Sequence, residues 1–238
     1  MPGKDEAHDD GVRPVSSNAT GSAVEAVPGS GVDFTPALQV TIARVREEVA
    51  ALHAELLHQG LAAWTEGDVS SRVPGADLFV IRPLDVESGD LGPENMMLCD
   101  LDGAVIPNTP GSDRTPSRDA VAHGHLYRHL PEVGGIAHAR SPYATAWAAA
   151  GEPIPCLLRA TAEQFGELIP LGDIPLEPDA LGPALVGLLR AEQAQAVLVR
   201  RLGPVTVGPD PRSAVTAAVL LEEAARTAYL ARQLGRSS

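Results

Sequence analysis

The stretch Gly134-Gly135-Ile136-Ala137-His138-Ala139-Arg140-Ser141-Pro142 decides how this chain is read. Its first residues suit a short buried strand. Strand side chains alternate with period two, so His138 and Arg140 fall on one side. The strand stops at Ser141-Pro142, a helix N-cap followed by proline at the first helical position. A His-x-His pair at such a strand end aims two imidazoles at one metal ion. Here the second position is an arginine, permanently charged and unable to ligate. The chemical question is therefore whether a metal site has been kept, changed or lost.

Downstream of the strand, 141–150 reads as a short helix closed by Gly151. Upstream, a loop rich in Pro, Ser and Thr (107–117) leads into a helix near 118–130. Earlier still, 68–73 and 78–82 read as strands around the turn Pro74-Gly75. Segments 96–99 and 104–106 flank Asp100-Leu101-Asp102-Gly103 as a hairpin. Val45, Val49, Leu52 and Leu56 recur at helical spacing and Gly60 follows, which predicts an amphipathic helix over 37–59. Beyond Gly151, 153–176 reads as loop with short strands. A helix follows near 178–193, then strands over 196–200 and 203–207, and a terminal helix over about 210–234. Helices at both ends with hairpin-joined strands between them imply an α/β fold: one domain, 35–238, forming an α/β/α sandwich around a mostly antiparallel sheet. Residues 1–34, rich in Gly, Ser, Pro, Ala and Asp, have no apolar period and read as a disordered tail.

Composition narrows the function. The 238 residues carry 18 basic and 31 acidic side chains, a net charge of −13. A chain this acidic lacks the basic face that a nucleic-acid backbone needs, and it would be repelled by an anionic membrane. No apolar run is long enough for a membrane span and no secretory signal is present, so a cytoplasmic protein is expected. Cys99 and Cys156 form no metal or redox spacing and read as small apolar residues in a reducing compartment.

Several ordered segments resemble the class II aldolase/adducin superfamily, and within it the L-ribulose-5-phosphate 4-epimerase branch. They are Gly67-Asp68-Val69-Ser70, Phe79-Val80-Ile81-Arg82-Pro83, Asp119 with His123, the run from Leu126 to His138, Tyr143-Ala144-Thr145-Ala146-Trp147, Ile154-Pro155, Phe165 to Pro170, Gly203-Pro204 and Leu221-Glu222-Glu223. The resemblance spans about residues 40–235. It implies a divalent metal, zinc or manganese, held by three histidines and stabilising an enediolate. His138 matches the first ligand. Arg140 stands at the second and Leu202 at the third, so the metal is doubtful and His138 is a remnant.

The resemblance also implies a phosphate pocket, and that pocket is altered. Gly-Asn-Val-Ser has become Gly67-Asp68-Val69-Ser70, and Lys-Pro-Ser-Gly has become Arg82-Pro83-Leu84-Asp85. A carboxylate about 5 Å from a phosphate costs roughly 1 to 3 kcal/mol per pair of charges at intermediate dielectric. Ser-Ser-Asp has become Ser117-Arg118-Asp119. The acid/base position before Phe is matched by Glu163, and Thr161 replaces a histidine. The branch's catalytic tyrosine, carried on a tail after the last helix, has no match, since Tyr229 lies inside that helix.

These readings nominate Asp119 and Glu163 as an acid/base pair, and Ser70, Arg82, Ser117, Arg118 and Arg140 as groups for a small anionic ligand. Arg140 is alternatively a structural partner of Asp119 or Glu163, and His138 a core histidine bonded to a backbone carbonyl. His125 and His129 read as a solvated pair. Three functions remain open: a non-catalytic member of the fold, an enzyme of a specialised pathway that uses arginines on an anionic carbonyl substrate, and an ordinary metal-dependent sugar-phosphate aldolase or epimerase. By resemblance, the chain would assemble as a homo-oligomer, a tetramer, or with an active relative.

Overall fold

The computed structural model describes residues 34–64 and 66–236. The tail expected over 1–34 lies outside the described residues except for Phe34, which packs against the core.

Helix α1 (Pro36–His58) starts where Thr35 Oγ1 accepts from the Leu38 N–H at 3.3 Å, with proline in the first turn. It buries Ile42, Val45, Val49, Leu52 and Leu56 along one stripe. Strands β1 (Asp68–Arg72), β2 (Leu78–Ile81) and β3 (Met97–Asp100) follow, then α2 (Ala120–His129), β4 (Gly135–His138) and α3 (Pro142–Ala150). The segment read as loop with short strands also holds a helix. It contains β5 (Ile154–Pro155), α4 (Arg159–Phe165), β6 (Leu168–Ile169) and β7 (Leu171–Gly172). In its seven residues α4 buries only Thr161, so it leaves no apolar period to read. The chain closes with α5 (Pro178–Glu192), β8 (Ala196–Val199), β9 (Gly203–Gly208) and α6 (Pro211–Arg236).

Seven strands form one sheet in the order β3-β2-β1-β4-β9-β8-β7, with β5 and β6 paired apart. Every pairing is antiparallel except β7 with β8. The expected second arm of the 100–103 hairpin, 104–106, returns antiparallel on β3, but through a single bridge, Cys99 to Val105, rather than a full strand. Asp100 Oδ1 accepts from the Asp102 and Ala104 N–H groups at 2.9 Å each, and Ile106 donates to the Leu98 carbonyl at 2.9 Å.

Alternation along the strands builds two cores. Phe79, Ile81, Ile136, Val197, Val205 and Val207 face α2 and α5. Val69, Val80, Leu98 and Ala137 face α1 and the start of α6. A third cluster joins Trp147 and Ala144 of α3 to Leu198 and the middle of α6. This is the expected α/β/α sandwich.

The paired glycines before His138 are explained by close approach. A Cβ on Gly135 would sit 2.2 Å from Pro211 Cα, and one on Gly134 2.1 Å from the Pro209 carbonyl oxygen. Only bare backbone lets the start of α6 cross β4 here. Among the described residues no helix is long and apolar enough to cross a membrane.

Candidate functional site

The site lies where β1 and β4 run side by side. Their register sets Asp68 opposite His138, and Ser70 opposite Ile136. Ile136 faces α2, and period-two alternation puts His138, Asp68 and Ser70 on that same face. Asp119, the residue entering α2, completes the cluster. One ligating atom from each of Asp68, Asp119 and His138 lies within 4.8 Å of the other two.

The hydrogen bonds fix the charge on His138. Its Nδ1 lies 2.5 Å from Asp119 Oδ2, and its Nε2 lies 3.3 Å from the Leu202 carbonyl oxygen. An ionised carboxylate and a carbonyl only accept, so both ring nitrogens donate and the ring is an imidazolium. Burial alone would lower its pKa. The charge and hydrogen bond of Asp119, with Asp68 behind them, outweigh that and raise it. Burial likewise favours a neutral Asp119. The His138 charge and hydrogen bond, helped by His123 and Arg140, hold its carboxyl well below the usual range.

Asp68 receives less help: the His138 charge, a hydrogen bond from Ser117 and the Arg82 charge lower its pKa only in part. It is 8 % exposed, and its Oδ1 is buried with no hydrogen-bond partner. Burial, and then the neighbouring Asp119 charge, push its pKa up to about 7. Two buried carboxylates thus share one imidazolium.

The anion-binding groups expected from sequence are employed otherwise. Ser70 Oγ lies 2.8 Å from both His123 Nδ1 and Tyr127 Oη, in a closed interior network. Arg82 is 1 % exposed. Its guanidinium donates to the backbone carbonyls of Pro83 and Gly67, at 3.0 and 3.4 Å, and of Val86. A buried guanidinium needs such acceptors, and it pins the loop after β2 beneath the site. The Ser117 hydroxyl accepts from the Asp119 N–H at 3.2 Å, which sets the entry of α2. Arg118 is exposed and, among the described residues, makes no ion pair. Asp85 pairs with Arg114 at 2.9 Å on the surface.

Arg140 pairs with neither of the acids expected. Its Nη2 lies 2.5 Å from Glu66 Oε2, while its Nη1 lies 3.5 Å from the Leu202 carbonyl oxygen. Glu66 reaches it from the turn in which Ala63 bridges back to Glu66, just ahead of β1. Glu163 does not join Asp119 within the chain. It lies exposed on α4, 2.7 Å from the Arg159 guanidinium one turn earlier. The Ser141 hydroxyl is buried without a partner and does not cap α3. The Glu222 carboxylate of α6 does so instead, accepting from the Tyr143 and Ala144 N–H groups at 2.9 Å each.

Sequence reasoning took Asp68 for a lost amide donor and missed it as a site residue. The signal lay in its position: a carboxylate opens a strand whose antiparallel neighbour ends in His138. His123 is buried beside Asp119 and His138, and burial lowers its pKa to about 4, so it stands neutral. Tyr127 was invisible as its partner because only the packing of α2 on β1 brings it to Ser70.

Could these residues hold the metal that the family resemblance implies? The three-imidazole shell does not fit. Arg140 carries a fixed charge neutralised by Glu66, and residue 202 offers only an aliphatic side chain. A different donor set, two carboxylates and one imidazole, is present in its place.

Comparisons with known proteins agree with this architecture. The family described as "Class II Aldolase and Adducin N-terminal domain" matches residues 47–229. An L-ribulose-5-phosphate 4-epimerase, UlaF of Salmonella paratyphi B, is 32 % identical over 199 residues, covering 79 % of this chain and 86 % of its own. The L-fuculose 1-phosphate aldolase of Glaciozyma antarctica superposes with a TM-score of 0.68 at 22 % identity, covering 85 % of this chain and 78 % of that one. YgbL of Klebsiella pneumoniae superposes at 0.67 with 26 % identity, covering 80 % and 90 %.

Proposed function

The chain belongs to the class II aldolase and adducin family, and from that footing we propose that it is a divergent, aldolase- and epimerase-like member that does not run the three-histidine metal reaction. One observation carries this reading: of the three positions that would supply imidazoles, only His138 does. Arg140 is ion-paired with Glu66, and at Leu202 it is the backbone carbonyl that approaches the His138 ring. The sugar-phosphate side of the site supports the same reading. Ser70 is closed off by His123 and Tyr127, and Arg82 is buried among carbonyls. The protein then serves as a non-catalytic or regulatory subunit of the cytoplasm, assembled with itself, as a tetramer, or with an active relative. Large exposed apolar side chains support assembly: Trp64 is 78 % exposed and Leu234 75 %.

The test is turnover of L-ribulose 5-phosphate and L-fuculose 1-phosphate by the purified chain, with zinc and with manganese. No turnover above background is expected. Rates on the order of 1 s⁻¹ or more, within the ordinary enzyme range, would end this reading.

A second reading has a specific observation behind it. Arg118, exposed and without an ion pair, directly precedes Asp119. In that reading the chain is an enzyme on an anionic carbonyl substrate, with Arg118 holding the anion and Asp119 moving a proton. It requires a substrate carboxylate or phosphate to bind with an affinity that Arg118→Ala abolishes.

A further inference from the structure

We propose that His125 and His129 form a two-imidazole clamp on the outer face of α2 that takes a copper or nickel ion. The clamp lies in the second half of the helix, away from Asp119, and shares no residue with the site described above.

The first observation is geometric. Residues four apart on a helix stand one above the other. Here the two rings stack, with centroids 4.0 Å apart and planes 25° from parallel. Two imidazoles this close can turn one nitrogen each toward a single ion with little movement of either ring.

Ligation also needs a lone pair on each ring, and the hydrogen bonds supply it. His129 Nδ1 lies 3.0 Å from the His125 carbonyl oxygen. A carbonyl only accepts, so Nδ1 carries the proton and Nε2 of the neutral ring keeps its lone pair. Metal-ligating histidines commonly donate their other ring N–H to a backbone carbonyl, which fixes the tautomer and the ring orientation. The His125 ring has no hydrogen-bond partner among the described residues. Its partial burial, then the charges of His129 and Arg128, hold its pKa below the ordinary histidine value. At neutral pH it is therefore a free base.

The clamp is held in place before any ion arrives. Helix α5 passes so close that a Cβ on Gly182 would sit 2.7 Å from His125 Cβ. Arg190 of the same helix donates to the His129 carbonyl at 2.6 Å. Such contacts reduce the freedom that the two side chains lose on binding. Local charge also favours a cation. The neighbouring Arg128 is paired with Asp102 at 2.7 Å, and His125 lines a small cleft with Asp102 and Asp179.

The donor set selects the ion. Two imidazoles with the remaining positions open to water suit the tetragonal geometry of Cu²⁺ and Ni²⁺. Nitrogen donors hold Cu²⁺ more tightly than Zn²⁺, and zinc sites generally draw three or four ligands from the protein.

The experiment uses the full chain without a histidine tag, freed of metal by chelator and dialysis, with Cu²⁺ alone as probe. Calorimetric titration gives affinity and stoichiometry, and electron spin-echo modulation counts the imidazoles on the bound ion. The native chain should bind one Cu²⁺, carrying two imidazoles, that the double variant His125→Gln with His129→Gln does not bind. Losing an outer-shell partner alone costs about 10- to 100-fold in metal affinity, so each single variant should weaken binding by roughly tenfold or more. Both side chains reach solvent, so the variants should fold, which circular dichroism checks. Equimolar Zn²⁺ should leave the copper in place. Equal copper binding by the native chain and the folded double variant would overturn the proposal. So would a native signal with fewer than two imidazoles, or displacement of the copper by equimolar zinc.

Discussion

Replacing Asp68 by asparagine tests the electrostatics of the site without reference to any substrate. Burial and the Asp119 charge raise the Asp68 pKa from an ordinary 3.8 to about 7. Between those values the folded chain keeps a proton that the unfolded chain releases. Its stabilising contribution is therefore complete below about pH 4 and lost as pH rises through 7. The rise from 3.8 to about 7, at 1.36 kcal/mol per pH unit, amounts to roughly 4 kcal/mol across this window. Asparagine has no proton to lose.

Buried groups that do not interact with Asp68 titrate in both chains and cancel to first order in the difference, while Asp119 and His138, which do interact with it, shift when it is replaced. Asp119, held low, adds stability as pH rises on the acid side. His53 and His123, lowered by burial to about 3 and about 4, add stability as pH rises toward the ordinary histidine value. His138, raised, loses stability above it. Urea unfolding of both chains from pH 4 to pH 8, in chelator, gives the difference directly. The Asp68→Asn chain should gain on the native one by roughly 4 kcal/mol over that range. A difference flat to within about 1 kcal/mol, the error expected from extrapolation, would refute the assigned burial and charge of Asp68.

Further outcomes follow from the same geometry. The double substitution Arg140→His with Leu202→His restores an imidazole at each missing position and should give tight zinc binding, one ion per chain by mass spectrometry, that neither single substitution gives. Gly135→Ala drives a methyl group onto the Pro211 backbone and should cost about 3 kcal/mol or more, read as a lowered melting temperature. Tyr127→Phe removes the hydroxyl that bonds Ser70 and should cost about 1 kcal/mol, read by urea unfolding.

Much of the architecture was legible because it rests on local rules. Period-two alternation marked β4 and its neighbours, and helical spacing marked α1 and the terminal helix. Why two glycines precede His138 became legible only with the crossing of α6 over β4. What local rules could not supply was partnership. Glu163 was nominated through a neighbouring phenylalanine, yet it sits on α4, a helix too short to show a period, and pairs with Arg159. Arg140 was expected to meet Asp119 or Glu163 and meets Glu66, which lies 74 residues earlier in the chain. The α3 cap was expected from Ser141 and comes from Glu222, far along the terminal helix.

By itself, then, the sequence determined the layers, the order of strands and helices outside 153–176, the identity of His138 and the absence of imidazoles at residues 140 and 202. These depend on residue type and spacing along one strand or helix. Tertiary structure alone decided that Asp68 faces His138 across β1 and β4, that Asp119 enters α2 beside them, and that Arg82 and Arg140 are already occupied. Those facts depend on strand register and on how loops close over one another, and side-chain chemistry acts across that distance only once the backbone has brought the groups together.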